Sequence, residues 1–290
     1  MKSVSIKEAA HQLIDQLPDD SGWDDLIHEI FVKQTIEAGS TESKTDSLPI
    51  KLKKEPLINA IFEVRFKSTT AASNILPGFL FSKLDGKKTI NSLPAGNVPQ
   101  PIRDADPNLH YSHLVELHWN EFIILIGDNS FAIVCEFPYP GWSDFKSAIL
   151  QVTHFIKECE IIEEMQRYSI KYINLIQSDS LDEQISMIFK FIIIGRLFLK
   201  ENIFAFKTEI PDNPYIHIVN IVSSARAKFK NGHERNGLVV EIDTIANTPT
   251  QEFKHWNLSN HIDKIHTLNK KIFFKCLQPA TIASMEPIYG

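Results

Sequence analysis

Between residues 39 and 56 the chain changes character, and that seam limits the folds open to it. Before it stand two short patterns with apolar residues three and four apart; after it the apolar residues mostly recur every second position. The first spacing covers one stripe of a helix and the second covers one face of a strand. One continuous element cannot satisfy both, so separate modules are expected. They are a helical hairpin over 1–38, a linker over 39–55 and an α+β body over 56–290.

In the hairpin, Ser5 precedes Glu8 by the three residues of a capping box. Ile6, Ala9, Leu13, Ile14 and Leu17 then form one stripe, and Pro18–Gly22 breaks it. A second helix begins at Ser21 or Gly22. Asp24 and Asp25 suit its positive end, Trp23, Leu26, Ile27, Ile30, Phe31 and Ile36 form its stripe, and Gly39 ends it. Two helices this short cannot bury both stripes against each other alone. The stripe of Trp23, Leu26, Ile30 and Phe31 is therefore a candidate surface for the chain's own body, a second copy or a protein partner.

In the body, residues 57–67 alternate. Ile58, Ala60, Phe62, Val64 and Phe66 share one face; Asn59, Ile61, Glu63 and Arg65 share the other. A short helix over 75–84 and a long irregular loop follow. Strands are expected near 110–118, 120–127 and 130–137, then a long helix over 141–161. The order then repeats: a strand over 167–176, a helix over 181–194, strands near 201–209, 214–225 and 236–245, and helix over most of 248–276. The expected fold is thus an antiparallel α+β sheet in two pseudo-repeated halves, 56–161 and 165–277, each reading strand, short helix, three strands, long helix.

Charge and composition narrow the function classes. Most of the net charge of −6 lies in the first 48 residues, leaving the body near neutral. A near-neutral body lacks the dense cationic face that broad nucleic-acid binding needs. Residues 1–10 lack the apolar core of a signal peptide, and Lys190 and Arg196 interrupt the apolar run 185–199. Cys135, Cys159 and Cys276 lie far apart, as free thiols do. A cytoplasmic protein with no membrane span and no cofactor is expected.

The candidate residues each carry two readings. Glu63 and Arg65 share a strand face, and Lys171 lies on the matching strand of the second half. They form a structural ion pair, or with Asn174 the floor of a site for an anionic or peptide ligand. Glu241 and Asp243 are the solvated face of a strand or a metal-binding pair. Arg226, Lys228, Lys230 and Arg235 form the one local basic cluster, read as a solvated hairpin or a nucleic-acid contact. Glu116 and His118 share a face and form a candidate acid–base pair, while His113 is expected on the apolar face as a core histidine. Phosphate loops, the nucleophile elbow and HExxH are absent from the sequence.

Two runs carry family resemblances. SIKEAAHQLIDQLPDD and WDDLIHEIFVKQTIEAGSTES together resemble the start of a short bacterial antitoxin family that accompanies RelE/ParE-like toxins. The resemblance covers about 45 residues and implies dimerisation or toxin docking. The chain departs from it after Gly39, where Ser40–Ser47 leads into LPIKLKKEPL. PLINAIFEVRF, RYSIKYINLI, VVEIDT and LNKKIFF…SMEPIYG resemble a sporadic bacterial family of similar size. Asn59 replaces its usual acidic residue, and Ser169 and Lys171 stand where Gly and Arg are common. This second family brings no defined activity, so it implies a fold. The expectation is a non-catalytic binding or regulatory protein of a toxin–antitoxin or defence-type locus, with a toxin or a second copy as partner. The alternative is an enzyme acting on nucleic acid or a phosphorylated ligand.

Overall fold

A computed structural model describes residues 5–23, 25–30, 32–33, 47–189, 192–194, 197–199, 202–230, 232–247 and 251–290. Asp24, Phe31, Ile36, Gly39, the segment Ser40–Asp46, Lys190, Arg196 and Thr248, all named above, lie outside the described residues. The chain divides into two compact units, Met1–Ile50 with Ile288–Gly290, and Lys51–Pro287.

In the first unit, helix α1 spans Ile6–Gln16. Its capping box is formed: the Glu8 amide donates to Ser5 Oγ (3.2 Å) and the Ser5 amide donates to Glu8 Oε2 (3.0 Å). Such a cap is worth about 1 kcal/mol. Pro18, which cannot continue a helix, follows the C-cap Leu17. A second helix, α2, covers residues 23, 25–30 and 32–33. The Gly22 amide before it donates to Asp25 Oδ2 (2.8 Å).

The second unit is built on a ten-stranded antiparallel sheet. In chain order its elements are β1 (Lys51–Leu52), β2 (Leu57–Ser68), α3 (Leu76–Lys83), β3 (Lys88–Ser92), α4 (Gln100–Ala105), β4 (His113–Trp119), β5 (Phe122–Gly127), β6 (Ser130–Glu136), α5 (Trp142–Glu158), β7 (Ile162–Gln177), α6 (Leu181–Ile188), β8 (Ile192–Ile194), β9 (Leu197–Leu199), β10 (Ala205–Asp212), β11 (Tyr215–Lys228), β12 (Glu234–Ala246), β13 (Gln251–Glu252), α7 (Ile262–Lys275) and α8 (Pro279–Ser284). The sheet runs β10-β11-β12-β7-β2-β6-β5-β4-β3, and β13 adds to β7. Strands β2 and β7 lie side by side at its centre, with Arg65 opposite Arg167 and Ile61 opposite Lys171. Each central strand pairs on its other side with the last strand of the meander that follows it, β6 and β12.

Alternation decides the two faces. Ala60, Phe62, Val64 and Phe66 of β2 are buried with Tyr168 and Ile170 of β7. Leu76 and Leu80 of α3, Phe145, Ile149, Val152 and Ile156 of α5, and Ile262 and Ile265 of α7 join them in one core. A second core gathers Val219, Ile221, Leu238, Val240 and Ile242 under Met187 and Phe273. Each large buried side chain contributes roughly 1.5–3 kcal/mol. The opposite face carries Asn59, Ile61, Glu63 and Arg65, with Arg167, Ser169, Lys171, Glu241 and Asp243 beside them.

Four stretches differ from the sequence expectation. The supposedly irregular 68–109 contains β3 and α4; β3 is an exposed edge strand, so it shows no buried alternation. The helix expected over 181–194 stops at Ile188, and β-branched Ile192–Ile194 form β8. The helix expected from 248 begins only at Ile262, after β13 and two 3-10 turns. Within the expected linker, Lys51–Leu52 is β1, and Lys53 and Lys54 pair with Glu286 (3.6 and 3.1 Å).

Candidate functional site

The polar face of the central strands gathers six charged side chains. Arg65 Nε donates to Glu63 Oε1 (2.7 Å). Its guanidinium lies over the Tyr111 ring, 4.5 Å from the centroid, and the Tyr111 hydroxyl donates to Gln166 (3.0 Å). Arg167, directly across from Arg65, reaches the same Glu63 oxygen at 3.6 Å. Further along β7, Lys171 Nζ sits between Glu241 (3.3 Å) and Asp243 (3.7 Å). Three cations and three carboxylates balance, and all six side chains are mostly covered. Isolated charges in such a setting cost several kcal/mol each, so pairing is obligatory.

The pairing is incomplete. Arg167 Nε, Asp243 Oδ1, His113 Nε2 and Asn59 Oδ1 are buried without a hydrogen-bond partner. Burial pushes the Asp243 carboxyl above its usual range, against the pull of Lys171 and Arg167. Burial also lowers the His113 imidazole, with Glu63 pulling the other way.

The sequence-derived candidates separate here. Glu63, Arg65 and Lys171 share the polar face, but Asn174 does not. It lies three residues after Lys171, so the two-residue period turns it to the helix side. There it is buried, and Nδ2 donates to the Val240 carbonyl (3.2 Å). Glu241 and Asp243 do face one way, but the Lys171 ammonium stands where a cation between them would sit. Among the described residues no group of three or more His, Cys, Asp or Glu is placed to hold a metal. The basic cluster is divided and largely answered. Arg226 meets Glu234 (3.8 Å), Lys230 pairs with Glu136, and Arg235 stacks over Phe137 and Phe229 (4.6 and 5.1 Å). Lys228 is exposed. In the first unit, Trp23 is 81% exposed and Ile30 37%, with Leu26 half-buried.

Glu116 and His118 are paired (3.1 Å). His118 also lines a pocket of about 370 Å³, with Ile123, Glu136, Phe137, Tyr139 and Lys230 among its walls. His113 is not on the apolar face, because the register shifts between His113 and Val115 and reverses the alternation there.

Three features escaped sequence reasoning. His217 is fully buried, with Nδ1 3.0 Å from Thr244 Oγ1 and Nε2 3.4 Å from Asp212 Oδ2. This is a hydroxyl–imidazole–carboxylate chain, but Thr244 is also fully buried and no substrate reaches it. Arg103 and Asp128 form a buried ion pair (2.6 Å). His266 stacks on Trp142 (3.9 Å, 5°) and is hydrogen-bonded to the Tyr172 hydroxyl (2.8 Å). No spacing rule links these residues, which meet only through tertiary packing. Burial raises the Cys135 and Cys276 thiols to about 11, away from nucleophilic use.

No protein-family model, curated protein or solved structure matches this chain. Among the described residues no helix is long and apolar enough to cross a membrane. The reading of function therefore rests on the site itself.

Proposed function

We propose that this chain is a non-catalytic binding protein with a regulatory role, of the kind found in toxin–antitoxin or defence-type loci. Its first unit docks a protein, either a second copy or a toxin-like partner, and the polar sheet face of its second unit holds a ligand. The observation that carries the docking is the uncovered apolar stripe. Helix α1 has no buried residue, Ile6 is 90% exposed and Trp23 81%. Burying such side chains against a partner stabilises by roughly 1.5–3 kcal/mol each. The antitoxin-like run over these residues supports the same reading. Among the described groups, the hydroxyl–imidazole–carboxylate chain is sealed, the thiols are raised and the carboxylate pair holds a lysine. Two halves of the second unit arising by duplication would explain the matching connectivity on either side of β2 and β7.

Light scattering on the full chain tests the docking. The expected mass is twice 33.1 kDa, or a one-to-one complex with the product of a neighbouring gene. Trp23→Ser with Leu26→Asp should abolish either. A monomer that forms no complex with that product would sink the proposal. An enzymatic reading has one supporting observation, the Glu116–His118 pair at the pocket. Hydrolysis of RNA or a nucleotide, lost in His118→Ala, would favour it.

A further inference from the structure

The sheet ends on β10, and among the described residues no strand pairs with its outer side. Its backbone phase is fixed from the inner side. The Ser223 amide donates to the Phe204 carbonyl (3.0 Å), and the Asn247 amide to the Pro214 carbonyl (3.0 Å). Given the registers of β10 on β11 and of β11 on β12, the two-residue alternation turns the backbones of Phe206, Thr208 and Ile210 inward. Those of Ala205, Lys207 and Glu209 point outward. The side chains alternate too. Phe206 and Ile210 stand on the helix side, opposite Ile221 and His217, and are 42% and 38% exposed. Lys207 and Glu209 stand on the other side. Both are exposed, and neither has an ion-pair partner among the described residues.

We propose that β10 is a pairing edge for a second copy of this chain, joined antiparallel about a two-fold axis at Thr208. The contact goes beyond the docking assigned to the first unit and does not depend on it. In that register Lys207 lies opposite Glu209 of the second copy, and Glu209 opposite its Lys207. Phe206 lies opposite Ile210 on the helix side, so the two apolar rims cover each other, and Thr208 meets Thr208. Opposite charges, apolar pairs and paired threonines facing across strands each favour the contact. The outward amides and carbonyls of Lys207 and Glu209 meet, as an antiparallel ladder requires. Other registers fail. A slip of one residue sets outward backbone against backbone already bonded to β11 and reverses the faces. A slip of two sets Lys207 against Lys207 or Glu209 against Glu209, and like charges directly opposite repel. Lysine and proline on an edge strand keep stray strands away. Here Lys207 is answered, and Pro211, which has no amide to give, lies opposite Ala205 at the outer ends of the pairing. An edge of eight residues buries little area. The contact therefore belongs with weak, transient interfaces and forms in concentrated rather than dilute protein.

Sedimentation equilibrium on the full chain carrying Trp23→Ser and Leu26→Asp separates this edge from the first unit. The mass should rise from 33.1 kDa in micromolar protein to twice that in near-millimolar protein. Adding Lys207→Glu, which sets carboxylate against carboxylate, should hold the chain monomeric throughout. Adding Glu209→Lys instead, which sets ammonium against ammonium, should do the same. An equimolar mixture of the two should regain the doubled mass, because each copy then carries one sign and meets the other. Both positions are exposed, and recovery in the mixture shows that both variants are folded. A parent that stays monomeric, a dimer that survives either reversal, or a mixture that stays monomeric overturns the proposal. A monomeric parent that binds the product of a neighbouring gene, with Lys207→Glu dissolving that complex, gives the edge to another protein and overturns the self-pairing. None of these results touches the docking of the first unit, which light scattering of the dilute, unaltered chain reports separately.

Discussion

His266 is held between the Trp142 ring and the Tyr172 hydroxyl, with Lys270 nearby. Burial pushes its imidazole from 6.5 down to about 4. The folded chain therefore refuses a proton that the unfolded chain accepts. The stability it contributes is complete above pH 6.5 and is lost as pH falls toward 4, up to about 3 kcal/mol. Urea titrations at pH 4.5 and 7 should show that loss, and His266→Gln should flatten it. Arg103 makes a second residue-scale case. Its pairing with Asp128 is buried, so Arg103→Leu should strand the carboxylate and cost about 3–5 kcal/mol. Replacing both partners by leucine should cost less, a difference that a double-mutant cycle in urea would measure. The charged pair Glu63–Arg65 was legible from its i, i+2 spacing alone. His113 was not, because one bulge in β4 reverses the phase of the alternation, and a bulge leaves no mark in an unaligned sequence. Asn174 was wrongly grouped with Lys171: three residues on along β7, the two-residue period turns it to the helix face, where it is buried.

At the scale of elements, long and strongly periodic segments were readable. The central strand β2 and the helix α5 fall where their apolar spacing puts them. Short elements without a buried face, such as β3, were not, since nothing in their composition reports pairing with a neighbour. Close approach of strands makes a prediction here. A Cβ on Gly237 of β12 would lie 2.0 Å from the Ile176 carbonyl oxygen of β7. Gly237→Ala should therefore lower the melting temperature by many degrees, with a cost above about 2 kcal/mol. Gly78 of α3 has nothing within 4 Å of the same position. Gly78→Ala should be neutral or add up to about 1 kcal/mol through helix propensity. Differential scanning calorimetry of the two variants would separate backbone contact from intrinsic preference.

At the scale of the whole molecule, the order of the strands was not legible, and β1, β3, β8, β9 and β13 were not expected. The pairing of β2 with β7 joins segments about a third of the chain apart, and local pattern carries no information about such a contact. That topology also sets a kinetic expectation. Closing a central pair so distant in sequence is slow, so refolding of Lys51–Pro287 should take milliseconds to seconds or longer rather than microseconds. Stopped-flow fluorescence of the buried Trp256 and Trp119 would report it; a microsecond phase carrying the full amplitude would contradict this expectation.

The place of β2 and β7 in the middle of the sheet has one more consequence. Thermal fraying enters a sheet from its outermost strands, here β3 and β10. The guanidinium and carboxylate groups ride on the last backbone to loosen. Whatever settles on them meets a stiff bed, even while the rims of the sheet breathe.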